Sequence, residues 1–201
     1  MDVLVNVPSE ELMAADTRDR MIGAAIDVLR TKGVAGMSFT EVLAASGAAR
    51  GAIYHHFPGG KAELVAEAAT RNGHDVCGHL AQLPAEDPLT AVEVFLASVR
   101  PVVGASAEGG GCAVAAITID PDNGTLRDLA SGVFDSWTTT LTQRLTAAGV
   151  DHDAATDLAT TLITLLQGAH VLCRANGGLE PFDRITRTAI DLIRHRYPSD
   201  R

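Results

Sequence analysis

Apolar residues recur at helical spacing along most of this chain. Ile22, Ala25, Ile26 and Leu29 lie at positions i, i+3, i+4 and i+7, which predicts an amphipathic helix over about 18–32. Comparable apolar stripes, separated by turns that contain Gly or Pro, predict further helices at about 61–80, 89–104, 125–148, 151–176 and 181–197. Because Ala, Leu and Thr are frequent, while Gly and Pro cluster between the periodic segments, the sequence favours an all-α fold over a sheet.

A denser set of local signals lies between Ser38 and residue 61. Ser38 is followed three residues later by Glu41, a spacing that predicts a capping box at a helix start, and Gly47 supplies a helix stop. A second short helix is predicted over about 49–56, ended by the Pro-Gly-Gly at 58–60. Two short helices joined through a turn that contains glycine form the helix-turn-helix pattern, whose second helix enters the DNA major groove.

The second half of this stretch resembles the signature of TetR-type repressors. The order is G-x-[small]-[Arg/Lys]-G-x-[aliphatic]-Y-H-H-F, followed by a lysine. In this chain it consists of Gly47, Ala48, Ala49, Arg50, Gly51, Ala52, Ile53, Tyr54, His55, His56, Phe57 and Lys61. The resemblance extends from Thr17 to about Ala69, a quarter of the chain. Two short segments, HFPGGKAEL and GGGCAVAAITID, resemble the LmrA/YxaF-like branch of that family.

The resemblance implies an all-α architecture of about nine helices. After a flexible N-terminal segment (1–16) we expect a three-helix helix-turn-helix DNA-binding domain (17–63), with Thr17 as the cap of its first helix. A C-terminal helical ligand-binding and dimerisation domain (64–201) follows, in which the last two helices form a four-helix bundle with the same pair of a second subunit. That arrangement implies a two-fold homodimer.

Two stretches of the C-terminal domain have less decisive patterns. By propensity Ala115 to Ile119 could be a strand, but the resemblance implies a short buried sixth helix within 112–120. Pro101 should kink the fifth helix or end its first part, because proline removes one helical hydrogen bond. The small residues at 105–111 then predict a loop.

The resemblance also suggests which residues meet DNA. The recognition helix has Ala49 and Ala52 where the family often has Ser or Thr, so base-specific hydrogen bonds fall mainly on Arg50. Either alanine could touch a thymine methyl group, and Gly51 allows the backbone to approach a phosphate. The remaining expected contacts are to phosphates, from Ser38, Thr40, Tyr54, His55 and Lys61.

Structural roles compete with these functional ones. Phe57 is interpreted as a core residue, and Tyr54 as a ring packed inside with its hydroxyl outward. His55 and His56 could suggest a metal pair, but neighbouring residues on a helix point about 100° apart and cannot chelate one ion together. We therefore predict neither a metal site nor a cofactor.

Net charge alone argues against a nucleic-acid binder, since the 201 residues carry a formal charge of −9. The charge is unevenly distributed, however. Residues 17–61 contain six basic and three acidic side chains, so this segment is about +3 and the rest of the chain −12. A small basic module on an acidic body can bind phosphates locally while limiting indiscriminate binding to DNA.

The larger C-terminal part contains candidates for a ligand cavity. Its stripes include a few aromatic and polar residues that could line one, namely Phe95, Cys112, Phe134, Trp137, Gln167 and His170. Core packing is the competing role for Trp137, and a satisfied interface or core position for Gln167 and His170. Aromatic content is 4%, and the sequence displays no obvious cluster of Arg or Lys directed at an anion. A neutral, mostly apolar small molecule is therefore the expected effector.

Several other classes of protein are disfavoured. Runs of about 18 apolar residues that could span a membrane are absent from the sequence, and the acidic N-terminus does not resemble a signal peptide. Three widely spaced cysteines, Cys77, Cys112 and Cys173, are consistent with a reduced cytoplasmic setting. Nucleophile–base pairs, paired carboxylates and phosphate loops are not recognisable either, which argues against an enzyme.

These observations together predict a TetR-type transcriptional repressor that a small apolar ligand releases from a palindromic operator. Two alternatives remain open: a regulator of the same fold that acts as a ligand-dependent activator or with a co-repressor, and a helical adaptor without DNA binding.

Overall fold

The computed structural model describes residues 9–119 and 124–198. In these ranges the secondary structure is entirely helical, and the all-α prediction is confirmed. The helices are α1 (Ser9–Gly36), α2 (Phe39–Ser46), α3 (Ala52–His56), α4 (Gly60–Leu80), α5 (Pro88–Ala107), α6 (Ala113–Ala116), α7 (Gly124–Ala147), α8 (His152–Asn176) and α9 (Glu180–Arg196). The short sixth helix is confirmed, and the alternative of a strand at residues 115–119 is wrong.

The first helix begins earlier than the sequence predicts. It starts at Ser9 rather than at about Arg18, so residues 9–16 are helical, while 1–8 of the predicted flexible segment lie outside the described residues. Glu, Leu, Met and Ala, which favour helices, dominate 10–15 and extend the helix past the expected cap at Thr17. Gly33 leaves helical geometry (φ 67°, ψ −174°), so the backbone breaks where the sequence predicts a stop before a last turn to Gly36.

Helix α5 also differs from its prediction, because it continues through Pro101 to Ala107. Proline cannot donate to the carbonyl of Ala97, but both residues are exposed, so this carbonyl can bind water. Val103 and Ser106, beyond the proline, are fully buried. Packing of that last turn outweighs the lost hydrogen bond, and the predicted loop at 105–111 is shorter than expected.

Local signals position α2 as predicted. The Ser38 hydroxyl accepts a hydrogen bond from the Glu41 N–H (3.3 Å), and the Glu41 carboxylate accepts one from the Ser38 N–H (3.3 Å). Gly47 ends the helix in the left-handed conformation at φ 67°. The helix is therefore fixed at both ends by residues next to it in sequence.

Replacing Ser38 with alanine is expected to lower the free energy of unfolding by about 1 kcal/mol, because the first turn of α2 loses its capping acceptor. Urea denaturation followed by circular dichroism measures the change. Ser131→Ala is the matched control, since Ser131 is an exposed serine inside α7. Equal effects of the two substitutions would contradict a capping role for Ser38.

Helix α4 connects the N-terminal helices to the C-terminal ones. Helix α1 packs against α2 and α4, and we call α1–α3 the head. The body consists of α5–α9, with α7 and α8 at its centre, and α4 links it to the head by packing on both α1 and α7.

Helices α4 and α7 approach closely at Gly73. A Cβ atom at Gly73 would lie 2.8 Å from a methyl group of Val133, so a larger residue would push the two helices apart. Next to this crossing the indole N–H of Trp137 donates to the carbonyl oxygen of Gly73 (3.0 Å). The link between head and body is thus held by both packing and a buried hydrogen bond.

Two body helices, α5 and α8, are long and rich in apolar residues. By length and apolar content, α5 and α8 would be sufficient to cross a membrane. Core helices of globular proteins have the same properties, and here α5 and α8 pack on each other and both pack on α9.

Candidate DNA-binding surface and ligand cavity

The turn between α2 and α3 carries the residues expected to meet DNA first. Helix α3 begins at Ala52 rather than at residue 49, so Ala49, Arg50 and Gly51 belong to the turn. The carbonyl of Ala49 accepts from the N–H of Ala52 (2.9 Å), which closes this turn. The later start agrees with the absence of a capping side chain, since Gly51 occupies the cap position.

Most of the expected DNA contacts lie on the surface. Two of the nine are half-buried, Ala52 and Lys61. The exposed ones are Ser38, Thr40, Ala49, Arg50, Gly51, Tyr54 and His55. Ile53 and Phe57 are buried beneath them at 1% and 0% exposure, which confirms Phe57 as a core residue and anchors α3 to the head.

Tyr54 differs from its sequence-based interpretation. Its side chain is 68% exposed, so the ring is not packed inside, and it meets Phe39 edge to face with the centroids 6.0 Å apart. Two bulky neighbours are buried, Ile53 within this five-residue helix and Phe57 directly after it, which leaves Tyr54 on the outer side. A phosphate contact from its hydroxyl stays a prediction.

Ion pairing separates the basic residues of the head into two groups. Arg18, Arg20, Arg30 and Lys32 each lie within 4.0 Å of a carboxylate. Among the described residues, Arg50 and Lys61 have no carboxylate at that distance. Their positive charge is thus available to a nucleic-acid phosphate or base edge.

The adjacent histidines are arranged unlike a metal site. The rings of His55 and His56 meet edge to face with their centroids 5.0 Å apart. The pKa of His56 is lowered, first by burial and then by the charges of His55 and Arg18. Across residues 9–119 and 124–198, groups of three or more His, Cys, Asp or Glu arranged to hold a metal are not found.

A cavity of about 1150 Å³ lies where the head meets the body. Its walls come from five segments: the end of α1 (29–35), the start of α4 (61–65), the loop and helix at 110–119, Leu126 of α7, and the second half of α8 (167–175). A molecule in this cavity would therefore contact both the head and the body.

Three of the six residues predicted to line a ligand cavity are found here, namely Cys112, Gln167 and His170. The three aromatic candidates do not line this cavity, and a ligand contact from any of them stays a prediction. Phe95 and Trp137 are core residues at 1% and 2% exposure, and Phe134 packs edge to face on Trp137 with centroids 5.2 Å apart. All three lie on apolar helix stripes, which are core positions first.

The cavity also contains a basic cluster that the sequence did not suggest. Arg30, Lys32, Lys61 and Arg174 all line it, and Asp and Glu do not occur among its described lining residues. The four basic residues come from three segments far apart in sequence. A partial signal existed in α8, where Gln167, His170 and Arg174 share one face at i, i+3 and i+7.

Polar groups in the cavity wall are held uncharged. Burial raises the pKa of the Cys112 thiol, although the N–H of Ala115, 3.4 Å from its sulfur, and the nearby Gln167 amide both lower it. Both amide atoms of Gln167 are buried and lack a hydrogen-bond partner of acceptable geometry among the described residues. This side chain has unused hydrogen-bonding capacity next to the cavity.

His170 connects the cavity wall to α5. Its Nδ1 atom lies 2.7 Å from the buried Ser106 hydroxyl, and its side chain is 6% exposed. Burial, together with the positive charge of Arg30, lowers the pKa of His170 to about 4. The imidazole is neutral at physiological pH.

The depressed pKa of His170 predicts acid sensitivity. The unfolded chain binds the proton at about pH 6.5 and the folded chain only near pH 4, so stability falls as pH drops through that window. Between about pH 7.5 and 5 the loss should be about 2 kcal/mol. Urea titrations of His170→Gln should have a flatter dependence on pH, whereas the exposed His152→Gln should match the parent; identical profiles for all three would contradict this assignment.

An exposed helix-turn-helix on a larger helical body is typical of one class of protein, the helix-turn-helix DNA-binding regulators. Comparisons with known proteins identify the family. Residues 21–68 match the bacterial regulatory proteins of the tetR family, and residues 88–188 match the LmrA/YxaF-like transcriptional regulator C-terminal domain.

Whole-length relatives agree with these matches. An uncharacterized HTH-type regulator of Mycobacterium tuberculosis is 30% identical, over 90% of this chain and 96% of its own. The crystal structure of a TetR regulator from Chloroflexus aurantiacus is 27% identical with a TM-score of 0.72, covering 90% and 96% of the two chains. A cysteine mutant of the regulator CifR, solved with 26-bp operator DNA, shares the fold at 23% identity and a TM-score of 0.67, covering 90% and 96%.

The chain belongs to the TetR family of DNA-binding transcriptional regulators, within its LmrA/YxaF-like branch. The resemblance drawn from the recognition-helix signature and the glycine-rich segments is confirmed.

Proposed function

We propose that this regulator is a repressor that binds a palindromic operator as a homodimer and leaves it when a small molecule enters the cavity. The domain limits follow as part of the proposal, with residues 17–63 reading DNA and 64–201 binding ligand and dimerising. The observation that supports it best is the position of the cavity, whose walls include α1 of the head, the linking helix α4, and α6 and α8 of the body.

Arg174 gives this coupling a physical basis. From α8 its guanidinium donates to the carbonyl oxygen of Thr31 in α1 (3.2 Å) and to that of Gly109 in the loop before α6. A ligand that moved this side chain would change how the head rests on the body. If the spacing between the two heads of a dimer changed, their recognition helices would no longer fit successive major grooves. Operator binding must then weaken ligand affinity by the same factor by which the ligand weakens operator affinity.

Exposed apolar side chains support dimerisation through the last two helices. Val171 and Leu172 on α8 are 66% and 51% exposed, and Leu192 on α9 is 65% exposed. Large apolar residues grouped on two neighbouring helices are typical of a protein–protein interface. A four-helix bundle with the same helices of a second subunit would cover them.

We infer a cytoplasmic location from the DNA-reading role. We also infer that the protein lacks catalytic activity, since the sequence has no recognisable catalytic motif. The test of the repressor proposal measures operator binding with and without a ligand of the cavity. Ligand-induced release supports repression, whereas tighter operator binding in the presence of ligand would contradict it.

Lys61→Ala is expected to weaken binding to operator and random DNA about equally, because a lysine–phosphate contact carries no sequence information. The slope of log affinity against log salt should flatten by about one unit. Fluorescence anisotropy at several salt concentrations measures both effects. Lys61 also lines the cavity, so unchanged DNA binding in this variant would assign the residue to the cavity alone.

A further inference from the structure

We propose that the cavity between head and body binds a small organic carboxylate, with the carboxylate at Arg174 and an apolar group along the wall formed by α1, α4 and α6. This inference rests on the proposed function, in that it names the chemical class of the effector. It replaces the neutral compound expected from the sequence.

The charge of the cavity favours an anion. Four basic side chains line it, and its described lining residues include neither Asp nor Glu. Glu41 pairs with Lys32, and the Asp27 carboxylate lies 3.6 Å from the Arg30 guanidinium. Arg174, in contrast, has only carbonyl partners among the described residues. Arg174 therefore carries a positive charge that no described carboxylate neutralises.

The geometry of Arg174 suits a carboxylate. The guanidinium presents its N–H donors in a planar fork that matches two carboxylate oxygens. One terminal nitrogen donates to both Thr31 and Gly109, so a carboxylate that used the whole fork would displace one of these carbonyl oxygens. The other terminal nitrogen lies 3.8 Å from where a Cβ of Gly111 would be, and Gly111 is a cavity residue. The glycine leaves open the space that a side chain would fill beside this arginine.

A second, independent observation points to a ligand. Apart from the interaction with the Cys112 thiol described above, both amide atoms of Gln167 are buried without a hydrogen-bond partner among the described residues. Such groups cost free energy when left unpaired. Gln167 and Arg174 lie on the same face of α8 and both line the cavity. An oxygen of the ligand between them could accept a hydrogen bond from the Nε2 group of Gln167.

The rest of the wall accommodates an apolar group. Leu29, Val65, Ala115 and Leu126 contribute carbon surface from four different elements. The neighbouring polar groups, Cys112 and His170, are uncharged at neutral pH, because burial disfavours their ionised forms. Neither group therefore adds a charge that would oppose the carboxylate or an apolar group beside it.

The experiment compares two matched pairs of probes on the full-length protein, octanoate with octanamide and 1-naphthoate with 1-naphthamide. Isothermal titration calorimetry gives each affinity in the absence of DNA. In each pair we expect the carboxylate to bind at least about tenfold more tightly than the amide. Amides that bind as tightly as their acids, or no binding by any probe up to about 1 mM, would overturn the proposal.

Variants assign the preference to the cavity. Arg174→Gln should abolish the preference for the carboxylate, and Arg174→Lys, which keeps the charge without the fork, should retain part of it. Arg184→Gln is the control, because Arg184 is an exposed α9 residue paired with Glu180. Circular dichroism verifies that each variant is folded, and a preference that survives Arg174→Gln in folded protein would overturn the assignment. Since these titrations contain no DNA, their failure is distinguishable from a failure of operator binding.

Discussion

Replacing Arg50 with alanine is expected to reduce the preference for the operator over random DNA by about 5- to 150-fold, the equivalent of about 1–3 kcal/mol for one bidentate base contact. Arg50 is exposed in the turn that leads into α3, and within the described residues no carboxylate lies within 4.0 Å of it. Its neighbours Ala49 and Ala52 lack hydrogen-bonding side chains, so base-specific hydrogen bonds depend mainly on this guanidinium.

The matched control is Arg20→Ala, because Arg20 is an exposed head residue that already pairs with Asp16. It should change the affinities for operator and random DNA little and by similar factors. Anisotropy titrations of both variants on operator and scrambled duplexes, at one salt concentration, give the two ratios. If Arg50→Ala left the ratio unchanged, or if both variants lowered it equally, Arg50 would not be the base-reading residue.

Phe57→Ala is expected to lower the free energy of unfolding by about 3–5 kcal/mol. The ring is fully buried directly after α3, and the guanidinium of Arg18 lies over it, 5.2 Å from its centroid. Removal of the ring leaves a cavity under the recognition helix. It also removes the aromatic face on which the Arg18 guanidinium rests. Because Ile53 is the buried residue within α3 itself, the helix is then held to the head less firmly. Operator affinity should therefore fall together with stability.

Urea denaturation monitored by circular dichroism measures this loss. Phe39→Ala is the comparison, since Phe39 is half-buried and its ring contacts the exposed Tyr54. We expect a clearly smaller effect from it. A loss below about 1 kcal/mol for Phe57→Ala would mean that the ring does not support the head as its burial indicates.

The features predicted well from sequence are those fixed by neighbouring residues. The capping box of Ser38 and Glu41 and the left-handed Gly47 involve contacts within a few positions, so their spacing alone determines α2. The resemblance supplied the order of the helices. The apolar stripes located most of the helix starts to within about one residue.

Features that depend on distant contacts were predicted poorly. Helix α5 continues past Pro101 because Val103 and Ser106 are buried against the body, which local propensity does not reveal. Tyr54 is exposed because the buried side of the short α3 is occupied by Ile53 and by Phe57, the residue that follows the helix.

The cavity illustrates the same limit. Arg30 and Arg174 line one cavity although 144 positions separate them in sequence. Aromatic residues on apolar stripes were the natural sequence candidates, and two of them are fully in the core. The local signal that could have located the cavity was the polar face of α8 that carries Gln167, His170 and Arg174.

Sequence-specific DNA binding is the central claim, and selection from a randomised duplex pool tests it most directly. Duplexes enriched over several rounds would be titrated by anisotropy against scrambled versions at physiological salt. The account predicts an enriched palindrome, with half-sites one helical turn or a multiple apart, bound about 10³-fold or more tightly than the scrambled duplex. A pool without enrichment, or equal affinity for enriched and scrambled duplexes, would contradict it.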